Sequence, residues 1–203
     1  IYEAYNEQEE ANFVAENIHK IFDGGDQYKD AAVLYRSNAQ SRTIEEFLLR
    51  QDIPYVIYGG VRFYERMEIK NVISYLRLIV NRNDNTAFER AISVPPRGIG
   101  EKTIANIRAK SQEQEISLFQ ASKNMLKDGS LKGKAPASME QFTDFIETSA
   151  EQINDFNSEE FVEMVISKSG LIDHHMKEAG EKGRIRVENI NELISAVKSF
   201  ESA

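Results

Sequence analysis

The spacing of apolar residues changes character once along this chain, and that change limits what it can fold into. From about Glu65 onward apolar side chains recur at three- and four-residue intervals, with Ile69, Val72, Ile73, Leu76, Ile79 and Val80 forming one stripe over roughly 65–81. The same periodicity predicts helices at 85–93, 101–112, 116–127, 136–154, 158–168 and 186–201, with a shorter one near 171–179. Gly129, Gly133, Pro136, Gly170, Gly180 and Gly183 punctuate them, and Asn83-Asp84-Asn85 offers a cap for the helix at 85. Before Gly60 the pattern is different. Ile1–Tyr5, Ala31–Tyr35 and Tyr55–Tyr58 are short apolar runs that read as strands. Between them, Ala11, Val14, Ile18 and Ile21 predict a helix from Glu7 to Phe22 stopped at Asp23-Gly24-Gly25-Asp26, and a second helix runs from Thr43 to Gln51. An order of β-α-β-α-β predicts a parallel sheet with right-handed crossovers. The expected fold class is therefore α/β plus all-α, a partial parallel β-α-β sheet over 1–64 followed by an all-helical domain over 65–203. Three strands are few for such a sheet, so the rest of it is expected outside this sequence.

Charge sorts the same way. The 203 residues carry a net −8, yet from Arg62 to Lys110 ten Lys/Arg face five Asp/Glu, and the acidic excess lies in the flanks. A basic middle on an acidic body suggests a local anion-binding face, although clustering on a solvated surface explains the count equally well. No segment approaches the roughly 20 apolar residues of a membrane span, and no signal peptide opens the chain. The absence of Cys fits a reducing, cytoplasmic compartment. Because the sequence starts at Ile1, inside an apparent strand, it is expected to be a piece of a longer protein.

Two stretches could carry function. Val33 to Arg42 passes from strand through a polar Arg-Ser-Asn turn into a helix, the geometry in which α/β proteins present ligand sites. Arg36 and Asn38 are the candidate contacts. The alternative is an ordinary connection in which Asn38 or Ser37 caps the helix. Val94 to Thr103 joins two helices through Gly98-Ile99-Gly100, with Arg97 and Lys102 on its flanks. Glycines there let a backbone approach a phosphate, and the following helix offers unpaired N–H groups, so the turn could hold duplex DNA without reading its sequence. A tight interhelical turn without a ligand is the plainer reading. Arg62, Phe63, Tyr64 and Arg66 interleave aromatic and basic residues at the domain junction; Phe63 is assigned to packing and Tyr64 stays open.

Catalytic machinery is missing. No Gly-x-x-x-x-Gly-Lys-Ser/Thr loop is present, and Ala135 follows Gly133-Lys134 where a magnesium-binding hydroxyl belongs. His174-His175 and His19 lack metal-site spacing and are expected at the surface, as are Glu45 and Glu46. No catalytic residue and no metal ligand is assigned.

The segments Val33-Leu-Tyr-Arg-Ser-Asn-Ala-Gln-Ser-Arg, Ile53-Pro-Tyr-Val-Ile-Tyr-Gly-Gly-Val-Arg-Phe-Tyr-Glu-Arg-Met-Glu-Ile-Lys, Val94-Pro-Pro-Arg-Gly-Ile-Gly and Arg186-Val-Glu-Asn-Ile-Asn-Glu-Leu closely resemble the UvrD/PcrA/Rep-type superfamily 1 DNA helicases, most of all the PcrA branch. The resemblance spans nearly the whole chain. It implies that residues to about 64 are part of the second RecA-like motor domain (2A), and that the helical remainder is the domain inserted into it (2B). It implies contact with single-stranded DNA by Tyr35, Arg36, Asn38 and Arg42, and with duplex DNA by Arg97, Gly98, Ile99, Gly100, Lys102 and Thr103. It further implies a parent that hydrolyses ATP with Mg2+ and moves 3′ to 5′ on DNA. The nucleotide site would lie outside this sequence, leaving the fragment inactive alone. DNA, with repair or replication proteins, would be the partners, and no membrane. Two other readings stand beside this one: an autoinhibitory or protein-interaction module in the acidic helices after 136, and the motor of a related helicase–nuclease.

Overall fold

A computed structural model describes residues 1–37 and 40–201. The chain forms two compact units, Ile1–Arg66 and Met67–Ala203.

The first unit holds two helices, α1 (Glu7–Asp23) and α2 (Ser41–Arg50). Asn6 caps α1 by accepting a hydrogen bond from the Glu9 amide, acidic residues fill its first turn, and Gly24 closes it. Ala15, Ile18, Leu48 and Ile53 form a small core between the helices, with Val14, Tyr28, Val33, Phe47 and Tyr55 packed around it. The amino-terminal arm lies along α1, where the Tyr2 ring stacks on Phe13 at 3.8 Å and its hydroxyl donates to Glu9 at 2.8 Å.

The expected sheet does not form. Among the described residues there is no strand, and 31–35 and 54–58 run extended without a backbone ladder between them. Alternation is nonetheless real. Ala31, Val33 and Tyr35 are half-buried while Ala32 and Leu34 are exposed, and Tyr55 and Ile57 alternate likewise with Val56 and Tyr58. A period of two reports that one face is buried; it does not report what covers that face. Here helix side chains do so, and no neighbouring strand pairs with the backbone. Over the described residues the chain is helical, not α/β.

The second unit contains α3 (Met67–Val80), α4 (Asn85–Ser93), α5 (Glu101–Gln114), α6 (Leu118–Lys127), α7 (Ala135–Glu151), α8 (Ser158–Ser169), α9 (Leu171–Met176) and α10 (Glu181–Glu201). Their boundaries follow local chemistry. Asp84 caps α4 through the Ala87 amide, Ser117 caps α6 through Gln120, and Asn157 with Glu160 makes a capping box for α8. Helix α3 is central and packs against α4, α7, α8 and α10. Its Val72, Tyr75, Leu78 and Ile79 are fully buried with Phe88, Ile92, Phe142 and Ile146. Phe88 meets Phe119 and Phe142 edge-on at 6.4 and 5.9 Å. Each such side chain contributes about 1.5–3 kcal/mol through burial, so this stripe sets the unit's stability.

A polar seam joins the first and last helices of the unit. The Asn189 amide donates to Glu68 at 2.6 Å, and Arg186 lies 3.9 Å from Glu68 and 2.6 Å from Glu178. His175 shares the same Glu178 oxygen at 2.6 Å through Nδ1. His175 is therefore buried, not at the surface as expected. Helix α10 runs close to the same residue, with Gly183 so near that a β-carbon would sit 2.2 Å from the His175 backbone carbonyl.

Candidate nucleic-acid interface

The Tyr35–Arg42 turn is organised by Gln40. Its side-chain oxygen accepts from the amides of Arg36 and Ser37 at 3.1 and 3.0 Å, holding the turn against the start of α2. Tyr35 is half-buried and Arg36 is exposed; Asn38 lies outside the described residues. Arg42 is turned inward. Its side chain is 7% exposed and grips both Glu46 carboxylate oxygens at 2.9 Å. Glu45, also expected at the surface, is buried and gathers the Ser41 hydroxyl at 2.8 Å, the Tyr55 hydroxyl at 3.2 Å and the Phe63 amide at 3.2 Å. Burial, then the Glu45 charge, pushes the Tyr55 hydroxyl up from its ordinary pKa. The first turn of α2 is thus an internal polar cluster, and Arg36 is the exposed cation of this loop.

The Val94–Thr103 hairpin divides its charges the same way. Arg97 Nη1 points back to the carbonyls of Pro95 at 2.8 Å and Ala91 at 3.0 Å, while Nη2 donates to the Ser169 carbonyl at 3.3 Å and to the Tyr75 hydroxyl. The guanidinium lies over the rings of Tyr75 and Phe142, 5.6 and 5.2 Å from their centroids. Tyr75 in turn donates toward the Ala91 and Val94 carbonyls. Arg97 therefore shapes the hairpin from inside. Gly98 at φ +72° makes the turn, and space is open within 4 Å of any β-carbon at Gly98 or Gly100. Gly100 caps α5 without a side chain, and its carbonyl takes the Thr103 amide at 2.9 Å. The amides of Glu101 and Lys102 at this helix start find no acceptor among the described residues. Lys102 is exposed with no ion-pair partner among them, Ile99 and Thr103 are half-buried, and Gly98 and Gly100 are exposed.

Much of the basic excess seen in the sequence is spoken for elsewhere. Arg77 pairs with Asp84, Arg108 with Glu89 and Lys110 with Asp128, at 2.6, 2.5 and 3.4 Å. Tyr75 was not singled out from sequence. The available signal was a hydroxyl inside an otherwise apolar stripe, which requires a buried partner.

His174, His175 and Glu178 bring potential ligand atoms within 4.8 Å of one another. The Arg186 guanidinium on Glu178 puts a permanent cation in that cluster, which opposes a metal ion there.

An exposed glycine turn, helix-start amides with no acceptor among the described residues and an exposed lysine meet at this hairpin. Residues 1–203 match the UvrD-like helicase C-terminal domain, and the chain belongs to that family. It is 44% identical to DNA helicase II of Escherichia coli over 200 residues, 98% of this chain and 28% of that protein. The ATP-dependent DNA helicases PcrA of Staphylococcus epidermidis and Staphylococcus aureus are 38% and 37% identical, each over 98% of this chain and 27% of their own length. The chain thus spans little more than a quarter of these relatives, and the helicase II sequence is more similar to it than either PcrA.

The ATP of these relatives' names has no fitting loop here. Gly129 and Gly133 have positive φ ahead of α7, yet the segment follows a helix and Ala135, after Gly133-Lys134, offers no hydroxyl. Among the described residues no helix is long and apolar enough to cross a membrane.

Proposed function

We propose that this chain is the DNA-gripping portion of an ATP-dependent DNA helicase that moves 3′ to 5′. Residues to about 64 belong to its second motor domain, and the helices that follow form the inserted domain. Duplex DNA is held by the backbone of Gly98–Thr103 and by Lys102, and single-stranded DNA by the Tyr35–Arg42 turn through Arg36. The observation that carries the reading is the hairpin itself. Its glycines and Lys102 are exposed while Arg97 bonds the turn's own carbonyls, which leaves open space beside Gly98 and Gly100 for a phosphate. Contacts of this kind follow the backbone and carry little base readout. Arg97 and Arg42 act through the shape of the segments they hold. ATP and Mg2+ serve the parent protein through residues other than these.

Lys102→Ala in the full protein tests the reading, with anisotropy of a labelled tailed duplex followed across salt concentrations. Affinity is expected to fall roughly threefold, equally for unrelated sequences, and the slope of log K against log salt to drop by about one. Equal affinities at low salt would overturn it.

A second reading has its own observation. A groove of about 310 Å³ between α8, α9 and α10 is lined by Ile166, Ile172 and Ile194 with Glu163 and Asp173, the makings of a protein contact. A pull-down surviving both nuclease treatment and Lys102→Ala would favour it.

A further inference from the structure

A different cavity, of about 250 Å³, opens between α7, the end of α8 and the hairpin. Its wall on α7 is Ser138, Gln141 and Phe142, one face of the helix, and Lys168 and Ser169 close it from α8. Arg97 is at its floor.

The charge balance of this cavity is unusual. Every bonding partner of Arg97 is neutral: the carbonyls of Ala91, Ile92, Pro95 and Ser169, and the Tyr75 hydroxyl. A half-buried guanidinium is ordinarily matched by a carboxylate. The compensation here comes from the carboxyl ends of α4 and α8, each worth roughly half an elementary charge. Those ends offset about one positive charge between them. Lys168 then remains, exposed, with no ion-pair partner among the described residues, and no carboxylate lines the cavity. Ser138 and Gln141 add neutral donors whose side chains make no hydrogen bond among the described residues, and Ser138 lies in the first turn of α7, the positive end of that helix. The acidic groove lined by Glu163 and Asp173 has the opposite character.

We infer that this cavity is an anion subsite that takes a phosphate group, with Lys168 as its charge and Ser138 and Gln141 as its donors. Arg97, its charge offset by the two helix ends, is a positioning residue that holds the hairpin side of the cavity. The phosphate could come from a DNA backbone, which would extend the grip of the hairpin and rests on the function proposed here, or from a free phosphate ion.

The test uses Lys168→Glu and Lys168→Arg in the full protein, beside Lys102→Ala. Unchanged thermal unfolding is required of each, and Lys168→Ala replaces any variant that fails it. Tailed-duplex affinity is read across salt concentrations, and inorganic phosphate is titrated against the amide signals of Ser138 and Gln141. With a DNA phosphate in the cavity, Lys168→Glu weakens the duplex complex roughly three- to tenfold, lowers the salt slope by about one, and is rescued by Lys168→Arg. If duplex affinity is unchanged but inorganic phosphate shifts the Ser138 and Gln141 signals only in proteins with a cation at 168, the subsite holds a free phosphate. If neither response depends on residue 168, the inference is overturned. A Lys102→Ala protein with undiminished affinity, beside a weakened Lys168→Glu, would instead fail the hairpin and leave the subsite standing.

Discussion

Arg42, in the first turn of α2, and Arg97, in the turn ahead of α5, each lie beside a candidate DNA contact, and each is turned into the protein. They are satisfied differently. Arg42 meets a carboxylate, Glu46, so its turn is ordered by an ion pair. Arg97 meets carbonyls and a hydroxyl, so its hairpin is ordered by neutral partners, with two helix ends in place of a carboxylate. A sequence shows two basic residues in two polar stretches; whether each ends in an ion pair or a carbonyl cage depends on the fold.

Replacing Arg97 should expose that difference most. Arg97→Ala strands several carbonyls at two helix ends and is expected to destabilise the second unit by about 3–4 kcal/mol in urea unfolding. A loss under about 1 kcal/mol would mean water substitutes for the cage. Arg42→Ala should cost less, about 2 kcal/mol, because Glu46 is partly exposed and keeps the Tyr64 hydroxyl. A reversed ranking of these two variants would undo the contrast between the loops.

Tyr75→Phe removes one member of the cage and is expected to cost about 1 kcal/mol at neutral pH. Its pH dependence is more telling. Burial pushes the Tyr75 hydroxyl up to about 12, with Arg97 acting the other way. The folded state then keeps this proton longer than the unfolded chain. Stability from it is whole below pH about 10 and is lost as pH rises toward 12. Ultraviolet titration of the tyrosinates should show a hydroxyl ionising near pH 12 that is absent in Tyr75→Phe. The smallest effect on folding belongs to Lys102→Ala, within about 0.5 kcal/mol by the same urea measurement, since its side chain supports nothing internal.

The helices were legible because each carried its own period, and several their own cap. Asp84, Asn157 and the glycines near 24 and 170 mark ends that the chain adopts. The sheet was misread because short apolar runs at 31–35 and 55–58 report that the segments are partly buried and leave the partner unspecified. The hairpin was legible from Gly98 and Gly100, whose open surroundings suit a close ligand approach. The inward turn of Arg97 was not, since it depends on Ser169, 72 residues away. Glu45 and His175 were misplaced for a similar reason. A charged side chain is read as exposed until distant donors such as the Phe63 amide, or an ion such as Arg186, are brought beside it.

The crossing of α10 over α9 at Gly183 gives the last helix a mechanical pivot. A methyl group at 183 could not be absorbed locally, because the atom it meets is backbone. Helix α10 would have to lift, and Arg186 and Asn189, one and two turns further on, would be drawn away from Glu68. Damage done at one end of the sequence would then be felt at the first turn of α3, as a torque transmitted along a rigid rod.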